Sequence, residues 1–195
     1  MAYIENTAFE ARITNNEFND LCNITGKYMV SDAPADCSAG LLCVRGEQLD
    51  CEGFPGVKNE NAWTMTAATA EANAEEVIYA CNTYDAKLLS DNKGHNYFIG
   101  AETLGLGVPA NRYGTFTVIE FDGQHVYRFG IGNLSADLGD NTYFTIANGL
   151  LVPAASKPAT AGAIYFELRG NGNFIEGTSD SFEYIDVVAC KPVVA

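Results

Sequence analysis

Short apolar runs, broken by glycine, proline, asparagine or aspartate, dominate the second half of this chain and restrict it to strands. None of them keeps helical spacing long enough to form a long amphipathic helix. Residues 114–121 and 125–131 flank Asp122-Gly123-Gln124. Asp-Gly is a strong hairpin turn because glycine accepts positive φ. In the second of these runs His125, Tyr127, Phe129 and Ile131 fall on one face and Arg128 on the other. Residues 164–168 and 174–175 flank Arg169-Gly170-Asn171-Gly172-Asn173, which predicts a second hairpin. Residues 182–189 read as a last strand. The proline-bearing segments 108–110 and 152–158 are expected in loops or at sheet edges, since proline cannot donate to a ladder.

The expected fold is therefore mainly β, an antiparallel sandwich or small barrel built from hairpins, with at most one short helix. A length of 195 residues suits one ordinary domain or two small ones. Hydrophobic residues make up 47% of the chain, enough to bury a core, and no run approaches the roughly 18 to 20 apolar residues of a membrane helix. The net charge is −14, with no basic tract to offset it, so a nucleic-acid partner is not expected. Glu5 stands where a secretory signal needs a cationic start, and no apolar stretch follows it. Synthesis in the cytoplasm without a signal peptide is the expectation.

Two regions differ in texture. Residues 1–88 hold five of the six cysteines, the single tryptophan (Trp63) and an alanine-rich stretch. There Trp63, Met65 and Ala67 alternate with Thr64 and Thr66 as in a strand, and alanines and glutamates over 67–79 predict a short helix. Residues 89–195 read as a β domain with an internal repeat, over about 89–133 and 134–178. Leu89-Ser90 and Tyr97-Phe98 are echoed by Leu134-Ser135 and Tyr143-Phe144. Gly105-Leu106-Gly107-Val108-Pro109-Ala110 is echoed by Gly149-Leu150-Leu151-Val152-Pro153-Ala154 at nearly the same offset. One residue of each Tyr-Phe pair should point inward. One continuous domain is the alternative to this division.

Cys22, Cys37, Cys43, Cys51, Cys81 and Cys190 contain no C-x-x-C pair and match no zinc spacing. Reduced, half-buried thiols are the leading expectation. If one disulfide forms, Cys43 with Cys51 is favoured, because Arg45-Gly46-Glu47 between them can turn the chain back. No catalytic residue, cofactor site or metal site is assigned. His95 sits in a Gly-His-Asn turn and His125 on the apolar face of a strand, where neither has a defined nucleophile. Asp91-Asn92 and Asp137 to Asn141 supply hard oxygens but lack EF-hand spacing, and Asx turns explain them. Trp63, Tyr97 and Tyr143 are the candidates for stacking a sugar on a β scaffold.

The stretch Leu41-Leu-Cys-Val-Arg-Gly-Glu-Gln-Leu-Asp-Cys-Glu-Gly-Phe54 is followed by Lys58-Asn-Glu-Asn-Ala-Trp63 and Tyr79-Ala-Cys-Asn-Thr-Tyr-Asp85. Together they resemble small structural proteins of tailed phages and prophages of Gram-positive gut bacteria, the capsid decoration or cement proteins. The resemblance spans more than half of the chain and is one of texture, so it transfers no functional residues. It implies a virion protein, not an enzyme, that binds the major capsid protein lattice and stabilises it. It also implies a homo-oligomer, expected as a trimer, with no cofactor and no membrane partner. A tail or head-fibre component and a carbohydrate-binding β module are the alternatives. Residues 1–18, with Tyr3, Ile4, Phe9, Ile13 and Phe18 among polar neighbours, read either as a capsid-docking arm or as an ordinary first strand.

Overall fold

The computed structural model describes residues 7, 9–12, 23–51, 53–69, 77–82, 89–90, 96–97, 107–159, 163–176 and 180–191. Among these the chain is almost wholly strand, and its one helical element is a 3-10 turn at Ile131–Asn133. In chain order the strands are β1 (Phe9–Arg12), β2 (Asn23–Val30), β3 (Ala33–Pro34), β4 (Leu42–Cys51), β5 (Phe54–Ala67), β6 (Ile78–Cys81) and β7 (Leu89–Ser90). They continue with β8 (Asn96–Tyr97), β9 (Gly114–Val118), β10 (Asp122–Gly130), β11 (Tyr143–Ala147), β12 (Leu150–Ala154), β13 (Tyr165–Glu176) and β14 (Asp180–Cys190). The helix expected over 67–79 is not formed at its ends. Ala67 closes β5, and Ile78 and Tyr79 open β6.

Two layers result. The first is a six-stranded sheet in the order β1-β10-β14-β13-β11-β12, antiparallel throughout. The second runs β3-β2-β5-β4-β6-β9, and a further pairing of β9 with β2 closes five of its strands into a small barrel. Within the barrel only β2 and β5 are parallel. Burial follows from these layers. β6, Ile78-Tyr79-Ala80-Cys81, is an unbroken apolar run because both of its faces are covered. Tyr79 and Cys81 belong to the barrel core with Tyr28, Cys43, Met65 and Phe116. Ile78 and Ala80 belong to the main core, between barrel wall and sheet, with Leu42, Phe9, Tyr127, Phe129, Phe144, Phe166 and Val187.

The two layers share strands across residue 88. β1 joins the sheet built by the C-terminal half, and β9 closes the barrel built by the N-terminal half. The division into a region 1–88 and a region 89–195 therefore does not follow the sheets. The Asn148-Gly149 turn between β11 and β12 ties them further. Gly149 N–H donates to Ala68 O (2.7 Å), and its carbonyl accepts from Leu42 N–H (2.8 Å). A Cβ on Gly149 would lie 2.7 Å from Leu41 Cδ1, and its φ of 77° is left-handed, so both space and conformation call for glycine.

Both sequence-expected hairpin turns are corrected. β9 and β10 do not pair: β9 lies in the barrel and β10 in the sheet. Asp122-Gly123 opens β10 in a bulge, where the register against β14 shifts between Asp122 and Val126. Arg169 to Asn173 is no turn either, because β13 runs straight through it and pairs with β14 down to Glu176 opposite Asp180. Other expectations stand. Pro153 lies in β12, an edge strand of its sheet, and Phe144 is fully buried while Tyr143 is half-buried.

Candidate functional site

β4 and β5 continue beyond the barrel as a hairpin arm. Leu42 and Cys43 are buried, but Arg45 to Glu47 and every residue from Gly53 to Lys58 are exposed. Cys51 pairs with Phe54, so the chain reverses between them, with Gly53 at a φ of 82°. At the tip Phe54 is 66% exposed and Val57 55%, two of the four large apolar residues exposed among the described ones. Polar contacts hold the arm's shape. Lys58 Nζ lies 2.9 Å from Asp50 Oδ1 and 3.1 Å from Gln48 O, and Gly56 N–H donates to Asp50 Oδ2 (3.0 Å). The Gly56 N–H and then Lys58 hold the Asp50 carboxyl below the usual carboxylate range. At the arm's base an open groove of about 420 Å³ is lined by Lys27, Gln48, Leu49, Asp50, Lys58 and Tyr113. Lys27 Nζ stands 4.8 Å from the centre of the Tyr113 ring.

The arm corrects the expected disulfide. Cys43 and Cys51 lie at opposite ends of β4 and both thiols are free. Arg45-Gly46-Glu47 lies within the strand as an irregularity in its register instead of reversing the chain. At about 3.3 Å per residue the two cysteines are on the order of 25 Å apart, far beyond disulfide reach. Of the two readings of residues 1–18, a docking arm or an ordinary first strand, Phe9 fits the strand. This residue is 1% exposed, pairs with Phe129 across β1 and β10, and packs against the rings of Tyr127 and Phe129. Tyr3, Ile4, Ile13 and Phe18 lie outside the described residues. The β4–β5 arm has its own signal in the sequence at Glu52-Gly53-Phe54-Pro55-Gly56-Val57. There two glycines and a proline interrupt the alternation, leaving two large apolar residues without a buried face.

Among the described residues one group brings three metal-capable side chains within 4.8 Å of one another: Glu120, Asp122 and His125. His125 Nδ1 lies 2.5 Å from Asp122 Oδ2 and 3.4 Å from Glu120 Oε2. Asp122 Oδ1 also accepts the Gln124 and His125 backbone N–H groups, at 2.8 and 3.1 Å. Desolvation pushes the Asp122 carboxyl up, but these three donors outweigh it and hold the carboxyl below its ordinary value. An ionised Asp122 can only accept, so Nδ1 carries a proton and donates it. The group therefore acts as a side-chain cap on the β10 bulge, and a metal would have to displace that proton.

The sugar-stacking candidates are partly covered. Arg45 lies 4.3 Å from the centre of the Trp63 ring, and Lys157 lies 5.7 Å from the rings of both Tyr143 and Tyr165. Tyr97 has only its backbone described, and His95 and Asp91-Asn92 lie outside the described residues. Asp137 and Asp140 are exposed in a turn that Asn141 closes by donating its backbone and side-chain N–H groups to Leu138 O. No described helix is long and apolar enough to cross a membrane. In comparisons with known proteins, no family model, no curated protein and no solved structure matches the chain.

Proposed function

We propose that this chain is a structural virion protein that docks on an assembled phage capsid through the β4–β5 arm and reinforces it. The observation that carries the reading is the arm itself: a hydrogen-bonded hairpin that leaves the barrel and presents Phe54 and Val57 to solvent. Large apolar side chains exposed at the tip of a hydrogen-bonded hairpin gain by being buried against a partner, the property of an interface anchor. The same strands carry much of the phage resemblance, over residues 41–54 and 58–63. A net charge of −14 suits a particle's outer face, where it opposes association with stray nucleic acid. The mechanism is linkage: a ligand that binds the assembled lattice and not its free subunits shifts assembly toward the lattice. The expected partners are the major capsid protein and further copies of this chain.

The test is quantitative mass spectrometry of density-banded particles from the source culture. A copy number comparable to the shell subunit is expected. A few copies per particle would move the reading to a tail or head-fibre component, and absence would sink it. Beside it, Phe54→Ser with Val57→Ser should weaken co-sedimentation with purified shells by about ten-fold or more and leave the melting temperature unchanged.

A further inference from the structure

Three thiols meet inside the barrel, away from the arm. Cys43 lies on β4, Cys81 on β6 and Cys37 on the loop after β3, and each is at most 1% exposed. Cys37 is brought there by a turn: Leu41 N–H donates to Ser38 O (3.1 Å), with Gly40 at a φ of 75°. Beyond the turn the backbone lies beside β6, where Gly40 N–H donates to Cys81 O (2.8 Å) and Cys81 N–H to Leu41 O (2.9 Å). On its other side Cys37 pairs with Val108 through two hydrogen bonds of 2.8 and 2.7 Å. Gly107 permits that approach, since a Cβ there would lie 2.0 Å from Cys37 O. Cys37 is thus fixed from both sides. Cys81 Sγ lies 3.9 Å from Cys37 O, and Cys37, Cys43 and Cys81 pack in one buried cluster of the barrel core.

We propose that this cluster is a disulfide site in which Cys37 closes a single bridge, to Cys43 or to Cys81, and the third thiol stays reduced. A sulfur forms one disulfide bond, so the two closures exclude each other. The leftover thiol then sits beside the bridge as an exchange partner. The oxidant is a small-molecule disulfide such as oxidised glutathione. A cysteine thiolate attacks one of its sulfurs, forming a mixed disulfide and releasing one glutathione thiol. The second cysteine, as thiolate, attacks the protein sulfur of that mixed disulfide and expels the second glutathione. Two protein thiols are oxidised, one glutathione disulfide is reduced, and two protons leave the cysteines for the departing thiols. Burial at Cys37 and Cys43, and the Cys37 side chain followed by burial at Cys81, favour the protonated thiols in the closed barrel, which slows the first attack. The bridge therefore forms while the barrel is open, during folding.

The experiment refolds the reduced, full-length chain in a glutathione redox buffer. Free thiols are then blocked with N-ethylmaleimide in denaturant, and bridged peptides are mapped by mass spectrometry. The expected result is one bridge within the trio, Cys37 to Cys43 or Cys37 to Cys81. Cys43→Ser should leave the Cys37–Cys81 bridge alone, and Cys37→Ser should abolish bridging within the trio. The bridged protein should melt higher by roughly 5 to 10 °C, more for Cys81, whose bridge closes the longer loop. A Cys43–Cys81 bridge in the wild-type chain, a bridge from Cys37 to Cys22, Cys51 or Cys190, or six free thiols under oxidising refolding would each overturn the proposal. The wild-type map decides the matter even if a serine variant does not fold.

Discussion

Arg128 lies on the outer face of the six-stranded sheet, on the opposite side of β10 from Tyr127 and Phe129, and is only 8% exposed. Its guanidinium meets Asp186, its register partner on β14, through two parallel contacts of 2.8 Å from Nε and Nη2, and stacks 3.6 Å from the centre of the Tyr184 ring. Planar, bidentate pairing of this kind is specific to arginine. Because neither partner is fully solvated, removing one leaves the other partly desolvated and unpaired. Asp186→Ala is expected to cost about 2 to 4 kcal/mol by denaturant unfolding. A double-mutant cycle with Arg128→Met should return a coupling of about 1 to 3 kcal/mol. A coupling near zero would reduce the pair to a surface contact. At this scale the sequence is readable: strict alternation from His125 to Phe129 sets Arg128 apart from the buried face. What alternation cannot supply is the partner, because Asp186 lies 58 residues away.

At the scale of elements, local chemistry marks where the chain can bend but not which strands become neighbours. Asp122-Gly123 does bend the chain, with Gly123 at a φ of 73°, yet the bend is a bulge. Ile119 N–H still donates to Ile78 O in the barrel (2.8 Å), whereas Tyr127 and Phe129 lie under the sheet. The chain crosses between layers here because β9 finds its partners in β2 and β6. Asn148-Gly149, a two-residue turn with both φ values positive, carries the strongest short-range hairpin signal, which a reading of 149–154 as half of a repeat passes over. Ser31-Asp32 makes a similar two-residue turn between β2 and β3 with no glycine to announce it. β1 is the clearest case of two readings separated by burial, since amphipathic spacing alone fits either an arm or a strand. Phe9→Ala should cost about 3 to 4 kcal/mol in urea unfolding, the price of a cavity beneath β10. A change below about 0.5 kcal/mol would return β1 to the role of a detachable arm.

For the molecule as a whole, the buried cores hold weak acids that stay protonated at alkaline pH only while the chain is folded. Burial pushes the thiols of Cys37 and Cys43 above their ordinary value of 9.0, and the neighbouring Cys37 side chain, then burial, does so for Cys81. Desolvation, together with those thiols, pushes Tyr28 up to about 12, and burial in the main core does the same to Tyr127. The sign follows from proton counting. Above pH 9 the unfolded chain releases thiol protons that the folded chain keeps, and above pH 10 it also releases the tyrosine protons. The unfolded state then binds fewer protons, so stability falls as pH rises. Each group that titrates only on unfolding removes about 1.4 kcal/mol per pH unit. Asp122, whose pKa is lowered on folding, acts at the opposite end: its contribution is complete at neutral pH and is lost as acid protonates it. With reductant present, the melting temperature is expected to stay flat from about pH 7 to 8.5 and then to drop by on the order of 10 °C by about pH 10.5. Absorbance at 295 nm in a pH titration separates this account from general charge repulsion at −14. The tyrosinate signal of Tyr28 and Tyr127 should appear only with unfolding, and Tyr28→Phe should make the alkaline drop shallower. All ten tyrosines ionising before the fold is lost would show that the barrel core admits hydroxide and does not hold these protons.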